Sequence, residues 1–277
     1  MSNEIKRVVA INDMSCFGKC SLTVALPVIS AFGVEAVPLP TAILSTHTGG
    51  FTGFTCLDMT GEMKKIINHW KDVAFRCDGI YTGYFLNPEQ LALSADFIKN
   101  FKSDNTVVLV DPVMGDNGGL YTGFAADFPQ KMLSLCSYAD VITPNLTEAF
   151  LLTGLAYSEY QTEDALNECM KRLSETGTKK AVITGVRKDA DTIGYRCEDF
   201  VTGEKFEFSH KYEPIHLHGC GDVFSSVLCG GLVKGESFYD SVKRAADFTE
   251  RCILTTEADI ENHWYGLKFE KELLAGI

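Results

Sequence analysis

The 277-residue chain is 45% hydrophobic and 22% charged, the balance of a folded globular protein, which excludes a disordered, collagen-like or coiled-coil chain. Its 25 Lys+Arg against 37 Asp+Glu leave a net charge of -12 with no basic patch, which argues against nucleic-acid or membrane partners. The first apolar run, within MSNEIKRVVAIND, is too short for a signal or membrane segment, and the ten cysteines include no C-x-x-C pair. Reduced thiols in a cytoplasmic compartment are expected, most of them as small core residues.

Short β-branched runs alternate with stretches of helical spacing from the start of the chain. The pattern predicts strand 7–12, helix 22–32, strand 33–38, helix 62–71, strand 78–84, helix 88–101, strand 107–113, helix 125–137, strand 140–145, helix 163–175 and strand 180–185. Two alternating segments then flank a turn at 201–204, as in an antiparallel hairpin. Helices follow at 221–233 and 237–253, the second with Phe238, Val242, Ala245, Ala246 and Ile253 on one face. The expected fold is a three-layer α/β/α sandwich with a mostly parallel central sheet and one antiparallel edge. No repeat or linker interrupts it, so a single domain over 1–277 is expected.

Ligands of open parallel sheets sit beyond the carboxyl ends of the strands, and here those positions are unusually polar. They carry Asp13 and Ser15 after the first strand, His47-Thr48-Gly49-Gly50-Phe51 after the second, and Thr82-Gly83-Tyr84 after the third. The fourth ends in Asp111-Pro-Val-Met-Gly115-Asp116 and the fifth in Thr143-Pro-Asn145-Leu-Thr-Glu148. Each alone suits turns and helix caps; five together point to a ligand.

The segment Gly219-Cys220-Gly221-Asp222 opens an apolar helix. Free amides of a Gly-rich turn at the positive end of a helix dipole bind anions, so a phosphate fits there. Asp222 would then accept the proton of an attacking hydroxyl; the alternative is a carboxylate that complements the dipole. There is no Walker motif and no protein-kinase loop set, so any nucleotide phosphates are held another way.

Taken in order, the DPVMGD strand end, the N-x-x-E of 145–148 and the G-x-G-D helix start resemble the ribokinase-like superfamily. HTGGF at 47–51, YTGY at 81–84 and TPNLTE at 143–148 resemble its pyridoxal/pyridoxamine kinase branch, over roughly residues 7 to 250. The resemblance implies phosphorylation of the 5'-hydroxymethyl group of a B6 vitamer by ATP, with Mg²⁺, in a homodimer; a monovalent-cation requirement stays open. It further implies Asp222 as general base, the amides of Gly219, Cys220 and Gly221 as anion hole, and Asp13, Ser15, Thr48 and Tyr84 at the vitamer. Asp111, Thr143, Asn145, Glu148, Thr184 and Gly185 would serve ATP, and Asp111, Asp116 and Glu148 the metal, directly or through water. Where better-known relatives carry a serine this chain has Asp13, which could pair with a pyridinium or a substrate amine, or serve as a loop acid.

Other residues carry lesser readings. His216, His218 and Cys220 alternate like zinc ligands but lack a second cluster with metal spacing. Cys220 is either a reactive thiol or present for its amide alone. Lys19, Cys16 and Cys20 either fold over substrate or are a solvated lysine with packed thiols, and His47 polarises a substrate oxygen or bonds its own loop. Trp70, Phe97 and Phe101 read as core. The rival functions are hydroxymethylpyrimidine (phosphate) kinase of thiamin synthesis and a non-catalytic vitamer- or nucleotide-binding relative. A sugar or nucleoside kinase and a dehydrogenase lack their expected glycine motifs.

Overall fold

The computed structural model describes residues 5–215 and 217–277, in two compact units: 1–107 with 215–277, and 108–214. The first unit starts with β1 (Arg7–Phe17), α1 (Leu22–Ala31), β2 (Glu35–Thr46), β3 (Cys56–Asp58), α2 (Thr60–Asp72), β4 (Gly79–Thr82) and α3 (Pro88–Phe101). Its strands lie in the order β4-β1-β2-β3, the first three parallel and β3 antiparallel. Val8, Val9, Ala10 and Ile11 of β1 are fully buried, as a strand covered on both faces requires.

β1 does not end at Asn12 as expected. It continues to Phe17 along β2, with a register shift between Asn12 and Met14. Asp13 and Ser15 are therefore strand residues next to a bulge, a device that re-aims side chains beside sites. β2 likewise runs eight residues past the expected Pro38. Its Pro38 and Pro40 are tolerated because β3 joins that side only at Ala42–Leu44, leaving an open edge beside the prolines. α3 matches its expected bounds because the local signal is complete: Asn87 accepts from the Gln90 amide and Pro88 opens the helix. Trp70, Phe75, Phe97 and Phe101 pack on one another beside α2 and α3, with Phe97 in the core and Trp70 and Phe101 only partly buried.

The second unit holds β5 (Val107–Val110), the small hairpin β6 (Gly115–Asp116) and β7 (Gly119–Leu120), and α4 (Phe128–Cys136). There follow β8 (Val141–Ile142), α5 (Leu146–Thr153), α6 (Glu163–Ser174), β9 (Lys180–Val186), β10 (Thr192–Asp199) and β11 (Lys205–Lys211). β5, β8 and β9 are parallel, and β10 and β11 form the antiparallel edge expected around the turn at 201–204. The hairpin turns on Asn117 and Gly118, both at positive φ, the pairing that two-residue hairpin turns favour. α5 has no counterpart among the expected helices. Six of its eight residues are buried, so LTEAFLLT shows no amphipathic contrast, and only its caps, Asn145 and left-handed Gly154, mark it.

The chain then returns to the first unit with α7 (Cys220–Lys234), α8 (Phe238–Glu257), α9 (Ile260–His263) and α10 (Glu270–Ala275). α7 buries ten of its fifteen residues and packs against α1 and α8. The buried face of α8 contains Phe238, Val242, Ala245 and Ala246 but continues through Phe248 and Cys252, leaving Ile253 at its margin. The α/β architecture, mostly parallel with an antiparallel edge, is the one expected. No helix among the described residues is long and apolar enough to cross a membrane. All ten cysteines are free thiols, and six are buried.

Candidate functional site

In the first unit the middle of β1, the end of β4 and the start of α7 meet around one carboxylate. Asp222, half-buried in the first turn of α7, accepts from the Asn12 amide at 3.3 Å. Burial pushes its carboxyl up to about 7, and the charge of Asp13 adds to the rise. The Ser21 backbone, the Asn12 amide and the Tyr81 hydroxyl oppose it by favouring the ionised form. A base with its pKa near neutrality suits proton abstraction at physiological pH.

The turn before α7 depends on glycine. Gly219 has φ 86°, and a Cβ there would lie 2.4 Å from the Lys19 carbonyl oxygen. The first amides of a helix have no intrahelical acceptor, and at the positive end of the helix dipole such a turn suits an anion. The Cys220 thiol is set back on the Leu217 carbonyl at 3.6 Å.

Asp13 is almost wholly buried. One oxygen accepts from the Ser15 hydroxyl at 2.9 Å and the other from Ser21, while burial raises its carboxyl above the usual range. Ser15 is thus a partner of Asp13. Tyr84 donates its backbone N–H to Asn12 at 2.7 Å, and burial, with the charge of Asp13, pushes its phenol up to about 12. Thr48 is exposed on the loop after β2. His47 Nδ1 accepts from the Gly49 amide at 3.1 Å and its Nε2 lies 2.8 Å from the Tyr265 carbonyl oxygen, which fixes a neutral imidazole with Nε2 protonated. His47 is therefore a staple of its own loop. Phe51 packs on Trp264 and Phe17 on Tyr265, so the segment after α9 forms part of this wall, and neither aromatic was legible as such. Lys19 pairs with Glu270 at 2.6 Å and lies over the Phe269 ring.

In the second unit the predicted ATP-side residues gather at the carboxyl ends of β5, β8 and β9. Glu148 and Asn145 form a capping box: the Asn145 side chain accepts from the Glu148 amide at 2.8 Å, and Glu148 accepts from the Asn145 amide at 2.9 Å. The other Glu148 oxygen accepts from Met114 N at 3.0 Å, and Asn145 Nδ2 donates to the Gly115 carbonyl at 2.8 Å. Thr184 N donates to the Pro144 carbonyl at 2.9 Å, placing Thr184 beside Asn145, with Gly185 next at φ 71°. Thr143 and Asp111 are buried and Asp116 half-buried. Burial pushes Glu148 up to about 8, with the charge of Asp116 a smaller cause. Oxygen ligands such as Asp111 and Asp116 suit a hard divalent cation. No three His, Cys, Asp or Glu side chains among the described residues form a metal-binding group. His216 lies outside the described residues.

A mostly parallel α/β fold, a carboxylate at a glycine-bounded helix start and a capped acidic cluster suit the transfer of a phosphoryl group to a small molecule, and the family match makes the chain a small-molecule kinase. The family model for phosphomethylpyrimidine kinase matches residues 23–266, and the chain belongs to that family. A hydroxymethylpyrimidine/phosphomethylpyrimidine kinase of Haemophilus influenzae is 30% identical over 260 residues, 91% of this chain and 92% of that protein. A Bacteroides thetaiotaomicron structure named for phosphomethylpyrimidine kinase, crystallised with pyridoxal, is 37% identical with a TM-score of 0.92, covering 98% of this chain and 95% of that one. Pyridoxal kinase from Lactobacillus plantarum is 30% identical with a TM-score of 0.90, covering 98% and 96%.

Proposed function

We propose that this kinase transfers the γ-phosphate of ATP to the 5'-hydroxymethyl group of a B6 vitamer (pyridoxal, pyridoxamine or pyridoxine). The observation that carries the choice of substrate is the pyridoxal held by the 37%-identical Bacteroides structure. The family name and the Haemophilus relative favour hydroxymethylpyrimidine as the second reading, a ring that carries the same kind of hydroxymethyl group. The ten free thiols support a reducing, cytoplasmic setting.

In this reading Asp222 takes the hydroxyl proton as the oxygen forms its bond to the γ-phosphorus and the bond to the β,γ-bridging oxygen breaks, releasing ADP. The proton then leaves Asp222 for solvent. The Cys220 and Gly221 amides, with the α7 dipole, stabilise charge on the moving phosphoryl group. Asn145, Thr143, Thr184 and Gly185 line the nucleotide side. Asp116 and Asp111 would hold Mg²⁺, mostly through water, with Glu148 behind them fixing the cluster; the ion supplies neutralisation of phosphate charge. Thr48, Tyr84 and the Asp13–Ser15 pair serve the vitamer.

ADP release, measured with Mg-ATP on the three vitamers and on hydroxymethylpyrimidine side by side, tests the proposal. Turnover on a vitamer that Asp222→Asn abolishes supports it. Turnover on the pyrimidine alone transfers the assignment to the second reading.

A further inference from the structure

Asn12 is a wholly buried polar side chain in the middle of the first unit, and nothing in its strand predicts a role. Its oxygen accepts two backbone donors, Tyr84 N at 2.7 Å and Asp13 N at 3.0 Å. Two N–H groups aimed at one end of the amide require that end to be the carbonyl, so the NH₂ must face the other way, toward Asp222. It meets Asp222 Oδ1 at 3.3 Å. Space for the amide is made by Gly83: a Cβ at that position would lie 2.2 Å from Asn12 Nδ2. The Gly83 N–H donates to the Ile11 carbonyl at 2.9 Å, holding its backbone against β1.

We propose that Asn12 is the positioning residue of the kinase reaction: its amide, oriented by the Tyr84 and Asp13 backbones and accommodated by Gly83, aims the Asp222 carboxylate and keeps it ionised. The inference rests on the reading of Asp222 as the base. The charged and titratable groups that face Asp222 are Asp13 from β1, Cys20 from the turn before α1 and Tyr81 from β4. Of these, ionised Asp13 disfavours the carboxylate while burial keeps the Cys20 thiol neutral, which leaves the Asn12 amide, with Ser21 and Tyr81, to oppose Asp13.

The test is the pH profile of kcat for Asn12→Leu, Asn12→Asp and Gly83→Ala, with Asp222→Asn in parallel. Asn12→Leu removes the donor, and the acid limb of kcat should move up by about one pH unit, a tenfold change in the ionised fraction at a given pH. Asn12→Asp keeps an acceptor for both backbone donors but sets a second carboxylate beside Asp222, so its limb should move further. Gly83→Ala removes no polar group and should shift the limb the same way, which keeps the test alive if an Asn12 variant fails to fold. KM for ATP should not change in any of them. Folded variants whose acid limb stays at the wild-type pH would overturn the inference while leaving the base in place. An Asp222→Asn enzyme that turns over at the wild-type rate would instead remove the base itself.

Discussion

Two carboxylates in this protein, Asp222 and Glu148, sit in the first turns of helices and are both pushed far up, to about 7 and about 8, chiefly by burial. They differ in what surrounds them. Glu148 is 3% exposed, and its two oxygens are held by the backbone amides of Asn145 and Met114, so it ties α5 to the chain before β6. Asp222 stays partly exposed: the Asn12 side-chain amide reaches it at 3.3 Å, and the Ser21 backbone and the Tyr81 hydroxyl also favour its ionised form. Burial alone raises a carboxyl; whether that carboxyl is a strut or a reagent depends on whether fixed backbone donors occupy it and whether a substrate can reach it.

The sharpest way to break this contrast is to neutralise each group. Asp222→Asn should lower turnover by about 10²–10⁴-fold with the fold intact, read by ADP release and thermal melting. Its effect on stability has a definite sign. Because the folded carboxyl titrates above its ordinary range, the stability it lends is full in acid and gone once pH has risen through about 7, so the Asn variant should melt no lower than wild type at pH 8. Glu148→Ala should do the reverse of a catalytic lesion. It strips acceptors from buried amides and costs about 2 kcal/mol or more of stability, seen as a lowered denaturant midpoint.

Gly219→Ala comes next, since it strains a left-handed backbone against the Lys19 carbonyl. About 1–2 kcal/mol of destabilisation is expected, with a loss of turnover larger than the melt would explain because the anion-binding amides are displaced. The smallest effect sharpens the electrostatics. Asp13→Asn removes a charge that raises Asp222, so the acid limb of kcat should fall by a fraction of a pH unit, opposite in sign to the Asn12 variants. A limb that rises instead would mean Asp13 acts through its bonds to Ser15 and Ser21.

Much of the architecture was legible because its signals are local. The Asn87-Pro88 start delimits α3 to the residue, the N-x-x-E of 145–148 is a capping box in fact, and the alternation of runs yields the parallel strands. The failures have a common cause. α5 is buried on nearly every side, β3 and the β6–β7 hairpin have strands of only two or three residues, and β1 runs on through polar residues that look like a loop. Periodicity needs contrast and length, and none of these has both.

The order of residue types along the chain by itself determined the fold class, the glycine-bounded start of α7 and the presence of an acid there. What only the tertiary structure decided is the environment of that acid: Asn12 meets Asp222 across 210 positions of sequence, and Gly83 makes the room for it. The His47 loop is likewise closed by Tyr265, 218 positions away. Desolvation and hydrogen-bond orientation are properties of neighbours in space, and no pattern along a strand encodes which neighbours those will be.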